Sequence, residues 1–136
     1  MTAYEYYNRA RVLNKEINID HQELAILREQ SVNDQFGGCG GDGGNKDGGT
    51  PRSKVESAAL KVVAFENKIS EKVCALEVLK VEISKTIETL SDPVERVIMK
   101  WRYVLFKTWE EIIEVTGYSR TQVFRFHRKA LKHTQI

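Results

Sequence analysis

Val55, Val62, Ile69, Leu76, Ile83 and Leu90 stand seven residues apart in strict register, with Ala59, Phe65, Val73, Leu79 and Ile87 in companion places. Such a recurrence leaves few folds open. It specifies a long α-helix with a narrow apolar seam, and that seam needs another helix to cover it. A helix is predicted over residues 52–90. Upstream, Ala3, Tyr6, Ala10, Leu13, Ile17, Asp20, Leu24 and Leu27 alternate steps of three and four, and only Asp20 breaks the apolar set. This predicts a first helix within residues 1–36, with Tyr4, Tyr6 and Tyr7 at its start packing against the partner helix. Residues 37–51 separate the two, and eight glycines fall between Gly37 and Thr50. A segment of that composition cannot bury enough surface to offset its ordering entropy, so it reads as a flexible tether. A coil of that length reaches ~20 Å, enough to join the ends of an antiparallel pair. No strand precedes the glycines and no Gly-Lys-Ser/Thr follows, which argues against a phosphate-cradling loop. The expectation is a coiled-coil-like helical hairpin. The rival arrangement is a homodimer through residues 52–90, covering seam that the shorter first helix leaves bare.

The 136 residues suit one ordinary domain, or a small domain with an extended element. The net charge of +2 hides an asymmetry. Residues 93–136 carry nine Lys/Arg against four Asp/Glu, or +5, whereas residues 1–92 carry twelve against fifteen, or −3. A basic C-terminal module is the footprint of a phosphate binder. Cys39 and Cys74 have no ligand-like spacing to each other or to a histidine, which points to a reduced, intracellular protein without a metal. No apolar run approaches the ~18 residues of a membrane span and no signal peptide is visible, so a cytoplasmic protein with no membrane partner is expected.

Ser91-Asp92-Pro93-Val94-Glu95 closes the long helix and opens another. Pro93 suits a first helical position, with Asp92 as cap and Glu95 in the box position. Val97, Ile98, Trp101, Val104 and Leu105 would form the apolar side of a helix over 93–104, flanked by Lys100 and Arg102. Beyond it, Thr108 caps a short helix with Glu111 in its box position, Gly117 marks a sharp turn, and Ser119 caps a last helix with Gln122 in the matching place. Two boxes eleven residues apart with a glycine between them suggest a helix-turn-helix. From Ser119 onward there are Arg120, Arg125, Arg128, Lys129 and Lys132, and no acid. Helical spacing lines Thr121, Arg125, Arg128 and Lys132 along one stripe, with Val123, Phe126, Ala130 and Leu131 largely on the other side. A helix so divided can enter a major groove. Trp101 and Trp109 are read as packing residues.

The run Leu90-Ser91-Asp92-Pro93-x-Glu95-Arg96, then Trp101-Arg102-Tyr103, Thr108-Trp109-Glu110-Glu111-Ile112, Gly117-Tyr118-Ser119, Val123 and Lys129-Ala130-Leu131, resembles region 4 of sigma-70 factors. It is most similar to the small phage-encoded regulators of that type, which include the ArpU-like group. The resemblance covers residues 90–131. It implies an all-α fold in which the hairpin precedes a DNA-binding module over 91–136, with helix 119–133 in the major groove. Carried over by position, Arg120, Thr121 and Arg125 would face base edges. Arg102, Thr108 and Trp109 would lie near phosphates, the last two partly through amides at a helix N-terminus. Gln122, Arg128, Lys129 and Lys132 join the backbone contacts from the helical face alone. The chain departs from the family pattern at Phe106, where the phage relatives often have glycine, and at Lys107, Ile113 and Phe124.

The resulting expectation is a sequence-specific transcription regulator of phage or prophage origin that binds double-stranded DNA and adjusts the action of host RNA polymerase. No segment resembles the aromatic-rich region that melts a promoter, so opening promoters alone is not expected. Two other classes fit the same outline: a packaging component like a terminase small subunit, and an adaptor whose C-terminal module binds polymerase. An enzyme fits least. His21, His127 and His133 are scattered, no nucleophile stands beside a base, and no cofactor is called for.

Overall fold

The computed structural model describes residues 1–37 and 50–136, with the side chains of residues 31–37 and 50–55 left aside. Residues 38–49 of the expected glycine tether, with Cys39, therefore lie outside the described residues, as does the side chain of the seam residue Val55. Among the described residues the protein is all-α. Five helices follow in order: α1 (Ala3–Gly37), α2 (Thr50–Glu88), α3 (Pro93–Tyr103), α4 (Trp109–Thr116) and α5 (Arg120–His133). The chain divides into two compact units, one of residues 16–73 and one of residues 1–15 with 74–136.

In the unit of residues 16–73, α1 and α2 run antiparallel. Arg28 pairs with Glu66 and, further back along α1, Asp20 with Lys72. Ile17, Leu24 and Ile69 are buried, with Leu27, Val62 and Phe65 half-buried beside them. The sequence pattern errs in the seam at Val73, which is exposed while Lys72 takes the inward place. The reason is Asp20, the single polar residue in the seam of α1. Its carboxylate is buried and accepts a 2.6 Å hydrogen bond from Lys72 Nζ, while Glu16 approaches the same ammonium at 3.8 Å. A buried carboxylate needs a charged partner, and the ion pair fixes which residue of α2 faces it. Ala59 is also exposed.

In the other unit, a core of Ile98, Ile112 and Val123 joins α3, α4 and α5, with Val94, Trp101, Trp109, Ile113, Tyr118 and Phe126 packed against it. Met99 and Tyr103 are buried too, whereas Val97 and Leu105, expected on the apolar side of α3, are 46% and 54% exposed. Helix α3 ends at Tyr103, which turns inward, and Leu105 lies beyond it. Asp92 caps α3 through Val94 N at 2.9 Å, but Glu95 does not complete the box. It is 1% exposed and meets His133 Nδ1 at 3.2 Å. The first turns of α1 belong to this unit as well. Thr2 and Glu5 form a reciprocal cap at its start. Tyr6 reaches Thr86 at 2.8 Å and Arg9 reaches Glu82 at 3.4 Å. Tyr7 and Ala10 are fully buried. Ile87 and Leu90, at the end of the long seam, are buried here.

Candidate nucleic-acid interface

Helices α4 and α5 are fixed relative to each other by local chemistry. Thr108 Oγ1 accepts from Glu111 N at 3.2 Å, and Glu111 Oε2 accepts from Thr108 N at 3.3 Å. Ser119 Oγ accepts from Gln122 N at 3.3 Å, and Gln122 Oε1 accepts from Ser119 N at 3.0 Å. Between the two boxes, Gly117 adopts a left-handed φ of 75° and donates its N–H to Ile113 O at 3.0 Å. That is the backbone state glycine reaches without steric cost. Phe106, in the turn before α4, also has a positive φ, 57°, at the position where the resemblance suggests glycine.

The faces of α5 separate cleanly. Val123, His127 and Ala130 are buried, and Phe124, Phe126 and Leu131 are half-buried. Arg120, Thr121, Gln122, Arg125, Arg128, Lys129 and Lys132 are exposed. Thr121, Phe124, His127 and Arg128 line an open depression of about 420 Å³. Beside it the aromatic rings form a chain: Trp109 lies 4.9 Å from Phe124 and 4.8 Å from His127, and Arg102 stacks on the Trp109 ring at 4.4 Å. Tyr103 continues the chain inward, 5.7 Å from His127 and 5.4 Å from Tyr7.

Burial pushes the Tyr103 phenol well above its usual range. Burial, with the Arg102 charge adding to it, pushes His127 down to about 4, so the imidazole is neutral at physiological pH. Tyr103 Oη and His127 Nε2 share a 2.7 Å hydrogen bond. Tyr7 is tied in by a second one, donating to Thr134 Oγ1 at 2.7 Å, since the threonine proton goes to Ala130 O.

A family described as Protein of unknown function (DUF1492) matches residues 44–135. The chain belongs to that family. No curated protein and no solved structure matches it. The DUF1492 region takes in α2 to α5 as the structure describes them, and leaves out α1.

Within the DUF1492 region, the residues expected at a nucleic acid differ in how ready they are for it. Thr121, Arg125, Arg128, Lys129 and Lys132 are exposed on α5. Arg120 is exposed but its Nη2 donates to Glu110 Oε1 at 3.1 Å. Glu110 in turn is held below the usual carboxylate range, first by its own backbone N–H and then by Arg120. The oxygen of Gln122 and the backbone N–H of Thr108 are both committed to caps. Trp109 is half-buried packing, so its ring is less a contact than a platform for Arg102. The expectation that the N-terminal tyrosines pack against the partner helix holds for Tyr6, which meets Thr86 of α2, whereas Tyr7 turns to Tyr103 and Thr134, partners too distant in sequence for a local pattern to show. Among the described residues, no group of three His, Cys, Asp or Glu is placed to hold a metal, and no helix is long and apolar enough to cross a membrane.

Proposed function

We propose that this protein is a sequence-specific DNA-binding transcription regulator. Helices α4 and α5, joined through Gly117, act as a helix-turn-helix of the sigma-70 region 4 type, and α5 enters the major groove. One observation carries the reading: α5 buries Val123, His127 and Ala130 on one side and exposes only cationic and neutral polar residues on the other. In this reading Arg120, Thr121 and Arg125 meet base edges. Arg102, Arg128, Lys129 and Lys132 meet phosphates, and Thr108, Trp109 and Gln122 border them at the two helix N-termini. The resemblance of residues 90–131 to small phage regulators supports a phage or prophage origin and host RNA polymerase as a second partner, in the cytoplasm of a bacterium.

Selection of bound sequences from random duplexes, followed by a shift assay, tests this. Arg125→Ala is expected to weaken binding to the selected site and relax preference at one base pair, a discrimination of about 1–3 kcal/mol. Affinity for any duplex should fall steeply with salt as counterions are displaced. Recovery of no consensus, or unchanged binding by the variant, refutes the placement of α5.

A further inference from the structure

Helix α2 is unbroken from Thr50 to Glu88, and it is apolar on two sides. Ile69, Leu76 and Ile83 are buried on one side. On the side turned away from them, Leu60 is 70% exposed, Val63 51%, Val78 68% and Val81 55%. Asn67 and Cys74, exposed as well, fall between these four on the same face. The steps along the six positions are three, four, seven, four and three, which helical periodicity sets on one stripe. Aliphatic side chains left in water at that spacing mark a contact with another helix. Helix α1 exposes Val12, Ile19 and Ile26 too, but Lys15 and Glu23 interrupt that row with charge.

The stripe of α2 reads the same in both directions. It mirrors about the point between Ser70 and Glu71, so an antiparallel copy sets Leu60 against Val81, Val63 against Val78 and Asn67 against Cys74. The charges obey the same symmetry. Glu56 and Lys85, both exposed, stand four residues beyond either end of the stripe and equally far from its midpoint. An antiparallel copy meets each Glu56 with a lysine, whereas a parallel copy sets glutamate on glutamate and lysine on lysine. Glu71 sits beside the midpoint, with Lys68 three places earlier on the same side of the helix to offset it.

We infer that the occupant of this face is a second copy of the chain, bound antiparallel along α2 across a two-fold axis near Ser70. A two-fold contact requires a patch that complements itself, each residue meeting the partner of its own mirror position, and the stripe with its two end charges meets that requirement. The face is not the seam of Ile69, Leu76 and Ile83, so α1 keeps its place when the copies join. The inference stands apart from the DNA-binding reading, and its test needs no nucleic acid.

Sedimentation equilibrium of the full chain, with circular dichroism to follow helix content, tests it. The wild type should sediment as two copies. Val63→Glu and Val78→Glu, at positions already exposed in the single chain, should sediment as one copy with helix content unchanged. Glu71→Leu should tighten the dimer, since it removes the charge beside the axis. Charge reversal then reads the direction of pairing. Glu56→Lys and Lys85→Glu should each weaken the dimer several-fold, and the double reversal should restore it, because each lysine again meets a glutamate. A parallel pair keeps like against like in every one of these variants, so reversals without effect overturn the antiparallel arrangement. A wild type that stays a single copy up to about 100 μM, an assembly larger than two copies, or a dimer broken by Ile19→Glu but not by Val78→Glu overturns the assignment of this face.

Discussion

His127 carries the sharpest consequence at the scale of single residues. It is 8% exposed, bonded to Tyr103 and edge-on to Trp109. Its folded-state pKa, about 4, lies below the ordinary value of 6.5. The unfolded chain therefore binds a proton that the folded chain refuses. This stability is fully present above pH 6.5 and is lost as the pH falls through that value towards 4. The loss amounts to about 3 kcal/mol. Denaturant unfolding at pH 7 and pH 4 should show it, and His127→Gln, whose amide can still bond Tyr103, should flatten that part of the profile. An identical acid loss in the variant would place the proton elsewhere. In the sequence His127 stands on the border between apolar and cationic positions. Nothing local tells which side it takes, because Tyr103, 24 residues earlier, decides it. The exposed cations of α5 were legible for the opposite reason: their spacing alone sets their face.

Among the elements, those held by residues three apart were readable and those held by distant partners were not. Both boxes of α4 and α5 could be written down from Thr108, Glu111, Ser119 and Gln122, and both form. Glu95 stood in the same relation to Asp92 but is drawn to His133, a choice that only the docking of α5 creates. Lys72 likewise displaces Val73 from the seam because Asp20 lies opposite. Replacing Asp20 and Lys72 together by leucine should raise the thermal midpoint, whereas Lys72→Leu alone should lower it by stranding the buried carboxylate. Equal effects from the single and double changes would show that the pair does not set the register. At Gly117 a Cβ would meet nothing within 4 Å, so the cost of Gly117→Ala is backbone strain alone. A loss of about 1 kcal/mol is expected, and less for Gly117→Asn, which tolerates the left-handed state better. Equal losses from the two would mean that the space, and not φ, matters there.

For the molecule as a whole, the family-matched region shares its compact unit with buried residues that lie outside it. Residues 44–135 hold α3, α4 and α5, yet Tyr7 and Ala10 of α1 are fully buried in the same compact unit. Tyr7→Ala should destabilise that unit by about 3–5 kcal/mol, as for other buried aromatic truncations. Tyr7→Phe, losing only the hydrogen bond to Thr134, should cost about 1 kcal/mol. Chemical denaturation of the two variants separates packing from hydrogen bonding; near-wild-type stability of Tyr7→Ala would show that the tyrosine is dispensable. The Tyr7–Thr134 bond joins positions 127 apart in sequence. A contact of such high order closes a very large loop, and it cannot form during translation until the ribosome has read past residue 134 and released that stretch from its tunnel. A nascent chain stalled before that point keeps a tyrosine with no acceptor, so the cationic helix is locked down only after nearly all of the polypeptide described here has been synthesised.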